Sequence, residues 1–216
     1  MNLRWKLAQE AEIRWWRAYL RRKSPEDYLR QKAEYWHRVL RSARFEPAPG
    51  ARVLDAGCGP AGIFLILEEQ EVHAVDPLLE AYRASLPHFE PSSYPYVQFF
   101  AQPLEAFRPA APYDVIFCLN AINHVADLPM ALDVLAGALK PGGQLLLSVD
   151  VHKYAFLKKV LQWLPGDVLH PHQYSLEEYQ GMLAGRGLSV ERAVRLKEGL
   201  IFDYFMMVAG KGEDKI

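Results

Sequence analysis

The chain predicts an α/β fold: a doubly wound, seven-stranded, mostly parallel sheet with an antiparallel C-terminal hairpin, plus an N-terminal helical cap. Three observations carry that expectation. From Arg52 onward short apolar runs alternate with helical segments, which implies a parallel sheet covered on both faces. The last two apolar runs are separated only by Lys197-Glu198-Gly199, which implies an antiparallel pair. Residues 1–44 hold 12 Lys+Arg against 5 Asp+Glu, a net of +7, while residues 45–216 hold 13 against 21, a net of −8. The opening segment is therefore chemically distinct from the remainder of the chain.

Taken in order, Ile13, Trp16 and Leu20, then Leu29, Ala33, Trp36 and Leu40, recur at helical spacing and predict two helices between Leu3 and Leu40. They divide at Ser24-Pro25-Glu26-Asp27, where Ser24 can cap, Pro25 suits the first turn, and two acids complement the positive end of the helix dipole. Pro47, Pro49 and Gly50 punctuate the chain, giving an expected cap or lid over residues 1–46 and a main unit over 47–216. The first strand reads RVLDAG from Arg52, with a helix expected around Ile63 to Glu69. VHAVD, ending at Asp76, is the second strand; YVQFFA near Val97 is the third and DVIFCLN from Asp114 the fourth. A helix from about Leu128 to Leu139 leads into the fifth strand, QLLLSVD, ending at Asp150. Ser175 to Glu178 has the form of a capping box opening a helix that Gly187 ends, and strands over Leu188 to Leu196 and Leu200 to Ala209 come after it.

Half of the 216 residues are apolar, enough for one sizeable core with an appendage. The formal charge of −1 lacks the basic balance of nucleic-acid binders, so no nucleic-acid partner is expected. No run of 18 apolar residues occurs, and charges interrupt the first 30 residues where a signal peptide needs an apolar stretch; a cytoplasmic protein without a membrane span is expected. Cys58 and Cys118 lie inside apolar strand-like runs, which favours buried thiols over a bridge.

VLDAGCGPAG, Val53 to Gly62, places Gly57, Gly59 and Gly62 in G-x-G-x-x-G spacing between strand and helix. Glycines let the backbone approach a ligand, and a helix start offers free N–H groups, so the spacing alone also suits dinucleotides. Asp55 discriminates, because a carboxylate two residues before the first glycine repels a pyrophosphate and favours an ammonium or sulfonium. The competing reading has Asp55 only capping backbone amides of the turn. Asp76, 19 residues after Gly57, ends the next strand where an acid can accept from both ribose hydroxyls, or simply serve the turn before Pro77.

These residues resemble the class I S-adenosylmethionine-dependent methyltransferases, in the small-molecule group that includes the ubiquinone-pathway enzymes. The resemblance covers residues 52–150: VLDAGCGPAG, VHAVDP, FFAQPLEAF and YDVIFCLNAINHVAD resemble four ordered motifs of that family, and LKPGGQLLLSVD resembles its Pro-Gly-Gly strand opening. It implies the Rossmann-like methyltransferase fold and S-adenosyl-L-methionine as cofactor. It further implies that Ala56, Gly57 and Gly59 lie against the cofactor, that Asp55 faces its methionine portion, and that Asp76 with Pro77 holds the ribose. Gln102 and Pro103 would flank the adenine, and Asn120 would sit beside the methionine moiety. Gln102 stands where the family often has an acid, yet its amide oxygen can still accept from the adenine amino group. An Asn-Pro-Pro-Tyr string is absent from the chain, which disfavours methylation of exocyclic base amines, and no metal is expected.

A sulfonium already makes its methyl group electrophilic, so the protein has mainly to align a nucleophile and exclude water. His124, just beyond the fourth strand, is the candidate base for a hydroxyl or protonated amine; equally, it hydrogen-bonds its loop or packs beneath the cofactor. Four of the five tryptophans precede residue 37. Tyr28, Tyr35 and Trp36 are candidate walls for a small-molecule acceptor, with Asn123, Tyr154 and Tyr174; the plainer reading of the aromatic helices is packing over the sheet. His170 and His172 lack the partners of a metal site, and Pro165 to Pro171 reads as a loop over the acceptor pocket. The +7 segment could meet an anionic substrate, a phosphate-bearing partner or a membrane surface, or form a solvated helical face. Two rival functions remain at this level: a non-catalytic S-adenosylmethionine binder and a nicotinamide-dependent oxidoreductase.

Overall fold

The computed structural model describes residues 3–152, 174–199 and 202–213 and opens with two helices, α1 (Leu3–Leu20) and α2 (Pro25–Ala43). Ser24 caps α2 by accepting from the Asp27 N–H, Pro25 sits in the first turn, and Arg44 closes the helix in the left-handed conformation. The inward face of α2 carries Tyr28, Trp36, Val39, Leu40 and Ala43, and Leu20 of α1 is buried with them.

Seven strands complete the sheet: β1 (Arg52–Ala56), β2 (Glu71–Val75), β3 (Val97–Phe100), β4 (Tyr113–Cys118), β5 (Leu139–His152), β6 (Leu188–Lys197) and β7 (Phe202–Lys211). Their order is β3-β2-β1-β4-β5-β7-β6. The first five pair in parallel, whereas β7 lies antiparallel to both β5 and β6. The expected hairpin is thus present, and its second strand inserts between the parallel sheet and its first.

Helices α3 (Leu79–Ser85), α4 (Leu128–Ala138) and α5 (Leu176–Ala184) flank the sheet; α5 begins with the full Ser175–Glu178 capping box. Alternation along the strands divides the apolar residues between two faces. Leu54, Ile116, Leu145 and Leu147 pack with Leu128, Leu132 and Leu135 of α4 and with Tyr179 and Leu183 of α5. On the other face, Val53, Phe117, Leu146 and Val208 pack with Trp36, Val39 and Leu40 of α2 and with Leu79 and Tyr82 of α3. Cys58 and Cys118 are buried free thiols.

One expected element is absent. Instead of a helix around Ile63 to Glu69, the chain makes two short 3-10 turns, Gly59–Ala61 and Ile63–Ile66. Gly62 stands between them in extended conformation (φ −72°, ψ −175°) and interrupts any helical ladder. Tertiary partners hold the backbone of this region: Asp55 accepts from Phe64 N, Tyr96 donates to Phe64 O, and Trp36 donates to Ala61 O. Among the described residues no helix is long and apolar enough to cross a membrane.

Candidate functional site

Strand order reverses between β1 and β4, and in a doubly wound sheet the crevice at the carboxyl ends of such strands is where ligands bind. The chain leaves β1 there through a sharp turn. Gly57 has φ +71°, and both Gly57 and Cys58 donate backbone N–H bonds to Val75 O, at 2.7 and 3.2 Å. A Cβ on Gly57 would overlap the Ala121 side chain, so glycine is required both by conformation and by the closeness of the segment after β4.

Two carboxylates organise this turn. Asp76 accepts from Gly59 N through Oδ2 at 3.0 Å and from Leu78 N through Oδ1 at 2.8 Å. Asp55 Oδ2 accepts from Phe64 N at 3.1 Å, and a Cβ on Gly62 would strike that same oxygen. Both acids are buried. Burial pushes each up to about 7; repulsion from Asp76 adds to this at Asp55, and repulsion from Glu12 adds to it at Asp76. Lys32 of α2 acts the other way and lowers Asp55. Asp55 therefore caps a backbone amide of the turn, as one of the two readings of the sequence has it.

The remaining expected cofactor residues gather on the same edge. Pro77 follows β2, and the Asp76 N–H bond to Phe100 O brings the end of β3, with Gln102 and Pro103, alongside. Pro103 precedes the short turn Leu104–Ala106. Asn120, just past β4, adopts φ +56°, a conformation asparagine tolerates better than most side chains. Its N–H donates to Ser148 Oγ at 2.7 Å. Ser148 is hydrogen-bonded to Tyr204, so β7 is tied through β5 to the end of β4.

Acceptor-side candidates are more scattered. His124 ends the turn Ile122–His124, is partly buried, and bonds its N–H to Ala121 O. Asn123 is buried and accepts from Tyr179 OH at 2.7 Å, so its side chain is turned toward α5. Tyr174 lies edge-on to Tyr179 at 5.7 Å. Tyr28 is buried against Tyr19 and His88, and Trp36 spends its indole N–H on Ala61 O at 3.0 Å. Tyr154, His170, His172 and the Pro165–Pro171 loop lie outside the described residues.

Sequence reasoning passed over Glu12 and Lys32, and gave Trp16 only as one of the N-terminal aromatics. Glu12 Oε1 accepts long bonds from Trp16 Nε1 and Tyr82 OH, both 3.4 Å, and burial raises its carboxyl. The Trp16 ring lies 4.0 Å from where a Gly59 Cβ would stand, so α1 covers the glycine turn. The spacing of Glu12 and Trp16 puts them on one helical face, but nothing in the sequence says which strand end that face meets.

Comparison with known proteins bears on family and fold. A family model described as a methyltransferase domain matches residues 28–193. A ubiquinone biosynthesis O-methyltransferase of Xylella fastidiosa is 37% identical over 107 residues, 47% of this chain and 43% of that protein. One from Rhizobium rhizogenes is 31% identical over 182 residues, 76% of this chain and 69% of that protein. The matches to the Xylella and Xanthomonas proteins thus span less than half the length of those relatives. In fold, the chain resembles a Burkholderia thailandensis 1,6-didemethyltoxoflavin-N1-methyltransferase solved with S-adenosylhomocysteine, with TM-score 0.62, 19% identity, and coverage of 96% of this chain and 88% of that one.

Proposed function

The chain belongs to the class I S-adenosylmethionine-dependent methyltransferases, and on that premise we propose that it methylates a hydroxyl of a small-molecule acceptor by in-line displacement. Its cofactor is S-adenosylmethionine, which when bound supplies a methyl group on a sulfonium. The acid-flanked glycine turn carries the reading. The Asp55 carboxyl, buried at the turn two residues before Gly57, suits a cationic nucleoside when ionised and opposes a pyrophosphate. The names of the curated relatives support oxygen as the attacking atom.

In this reading Asp76 uses its free lone pairs to accept from the ribose hydroxyls while Gly59 and Leu78 hold it in place. Asp55 attracts the ammonium end, Gly57 and Gly59 give close backbone approach, Gln102 and Pro103 border the base, and Asn120 lies by the methionine portion. His124 accepts the acceptor's proton. Helices α1 and α2, with Tyr28 and Tyr35, form the cap that excludes water. The residues fit the group, since Gly59 leaves open backbone beside the Trp16 ring and both acids stand at the same turn.

Calorimetry with S-adenosylhomocysteine and NAD, followed by incubation with labelled-methyl cofactor, a metabolite extract and mass detection, tests this. The expected result is S-adenosylhomocysteine binding, no NAD binding, and an O-methylated product. NAD binding in its place, or a methyl group found on nitrogen or carbon, would overturn the proposal.

A further inference from the structure

The charge concentrated in the first 44 residues is not spread over a solvated face alone. A cavity of about 300 Å³, within the size range of small-molecule sites, opens between α1 and α2. Its wall includes Tyr19, Lys23, Tyr28, Lys32, Tyr35 and Arg38, with Glu34 as the acid among them. Lys23 Nζ lies 3.6 Å from the Tyr19 ring centroid and 5.6 Å from that of Tyr28. Lys32 Nζ lies 4.6 Å from the Trp36 centroid and 5.0 Å from that of Tyr35.

Among the described residues neither ammonium is ion-paired with a carboxylate; ring faces hold both. A ring face holds a cation less firmly than a charge-assisted hydrogen bond to an oxyanion does. Burial pulls the Lys32 ammonium down to about 8, against the attraction of Asp55. Two cations held in this way leave room for an anion.

The cavity also adjoins the glycine turn, because Lys32 packs on the Trp36 ring and the Trp36 indole N–H donates to Ala61 O. Lys32 shares the field of Asp55, at the glycine turn. Tyr35 lies near enough to Tyr204 of β7 for the two hydroxyls to influence each other.

We propose that this cavity binds a methyl acceptor carrying an oxyanion, a carboxylate or a phosphate, with Lys32 and Lys23 as its donors. The tyrosine faces receive the remainder of the acceptor. This rests on the methyltransferase reading and narrows its substrate class. An oxyanion could also be the α-carboxylate of the cofactor itself, so the test separates the two sources.

Benzoate and phenyl phosphate, with phenol as the neutral control, are titrated into the full chain by calorimetry, with and without saturating S-adenosylhomocysteine. The wild type is expected to bind at least one anion ten-fold or more tightly than phenol. Lys32→Met, which keeps the aliphatic stem, is expected to bring that preference within two-fold while S-adenosylhomocysteine affinity changes less than two-fold. Lys32→Arg is expected to keep the preference, and S-adenosylhomocysteine binding shows that each variant is folded. Equal binding of phenol and both anions, or a preference that survives Lys32→Met, overturns the proposal. So does a ten-fold loss of S-adenosylhomocysteine affinity in Lys32→Met without an anion preference in the wild type, which assigns the lysine to the cofactor. A wild type that does not bind S-adenosylhomocysteine sinks the methyltransferase reading instead, and the ligand-free titration then still decides whether the cavity selects anions.

Discussion

Asp55 and Asp76 show how a buried acid can serve both a turn and a ligand. Each has a carboxyl pushed up to about 7, far above the ordinary value of about 3.9 in an unfolded chain. The folded chain therefore holds these protons more tightly. Their contribution to stability is fully present below about pH 4 and is lost as pH rises through 7, by up to about 1.4 kcal/mol per pH unit for each group. Thermal melts of the ligand-free chain should show the midpoint falling between pH 5 and 8, and Asp55→Asn should flatten that slope. Affinity for S-adenosylmethionine should run the opposite way, rising from pH 6 to 8 as the carboxylates ionise to meet the cation, which calorimetry can track. Gly57 admits no substitute: Gly57→Ala combines a positive φ with overlap on Ala121 and should cost about 2–4 kcal/mol in denaturant unfolding.

Among the elements, α2 carries more than its share, since it caps one sheet face and sends Trp36 to the glycine turn and Tyr35 to the β5–β7 edge. Truncating Trp36 to alanine removes a buried ring and leaves Ala61 O without its donor, so a loss of about 3–5 kcal/mol is expected in denaturant melts. S-adenosylhomocysteine affinity should fall with it, because Ala61 lies within the turn. Ser175→Ala offers a contrast: loss of the α5 capping box should cost about 1 kcal/mol and leave cofactor affinity unchanged. Both helix starts, at Ser24 and Ser175, were legible in the sequence because a cap depends on residues within one turn of each other. The segment Ile63 to Ile66 was not. Its apolar residues have helical spacing, but Asp55, Tyr96 and Trp36 hold the backbone of this region in shorter turns from three different elements.

For the molecule as a whole, S-adenosylhomocysteine at about a hundred times its dissociation constant should stabilise the folded chain by about 2.7 kcal/mol. At this size that raises the melting midpoint by about 5–11 °C, while NAD should leave it unmoved. The sequence by itself determined the parallel sheet, the antiparallel pair at its end and the strand-end acids, because alternation, turn residues and carboxylate position are local, and its ordered motifs pointed to the cofactor through their resemblance to a family. Only the tertiary structure decided that β7 and not β6 pairs with β5, that α1 lays Glu12 and Trp16 over the glycine turn, and that Lys23 and Lys32 face a cavity between helices. The physical reason is distance along the chain: pairing partners and helix placement depend on contacts between segments tens of residues apart, whose energies no single segment encodes.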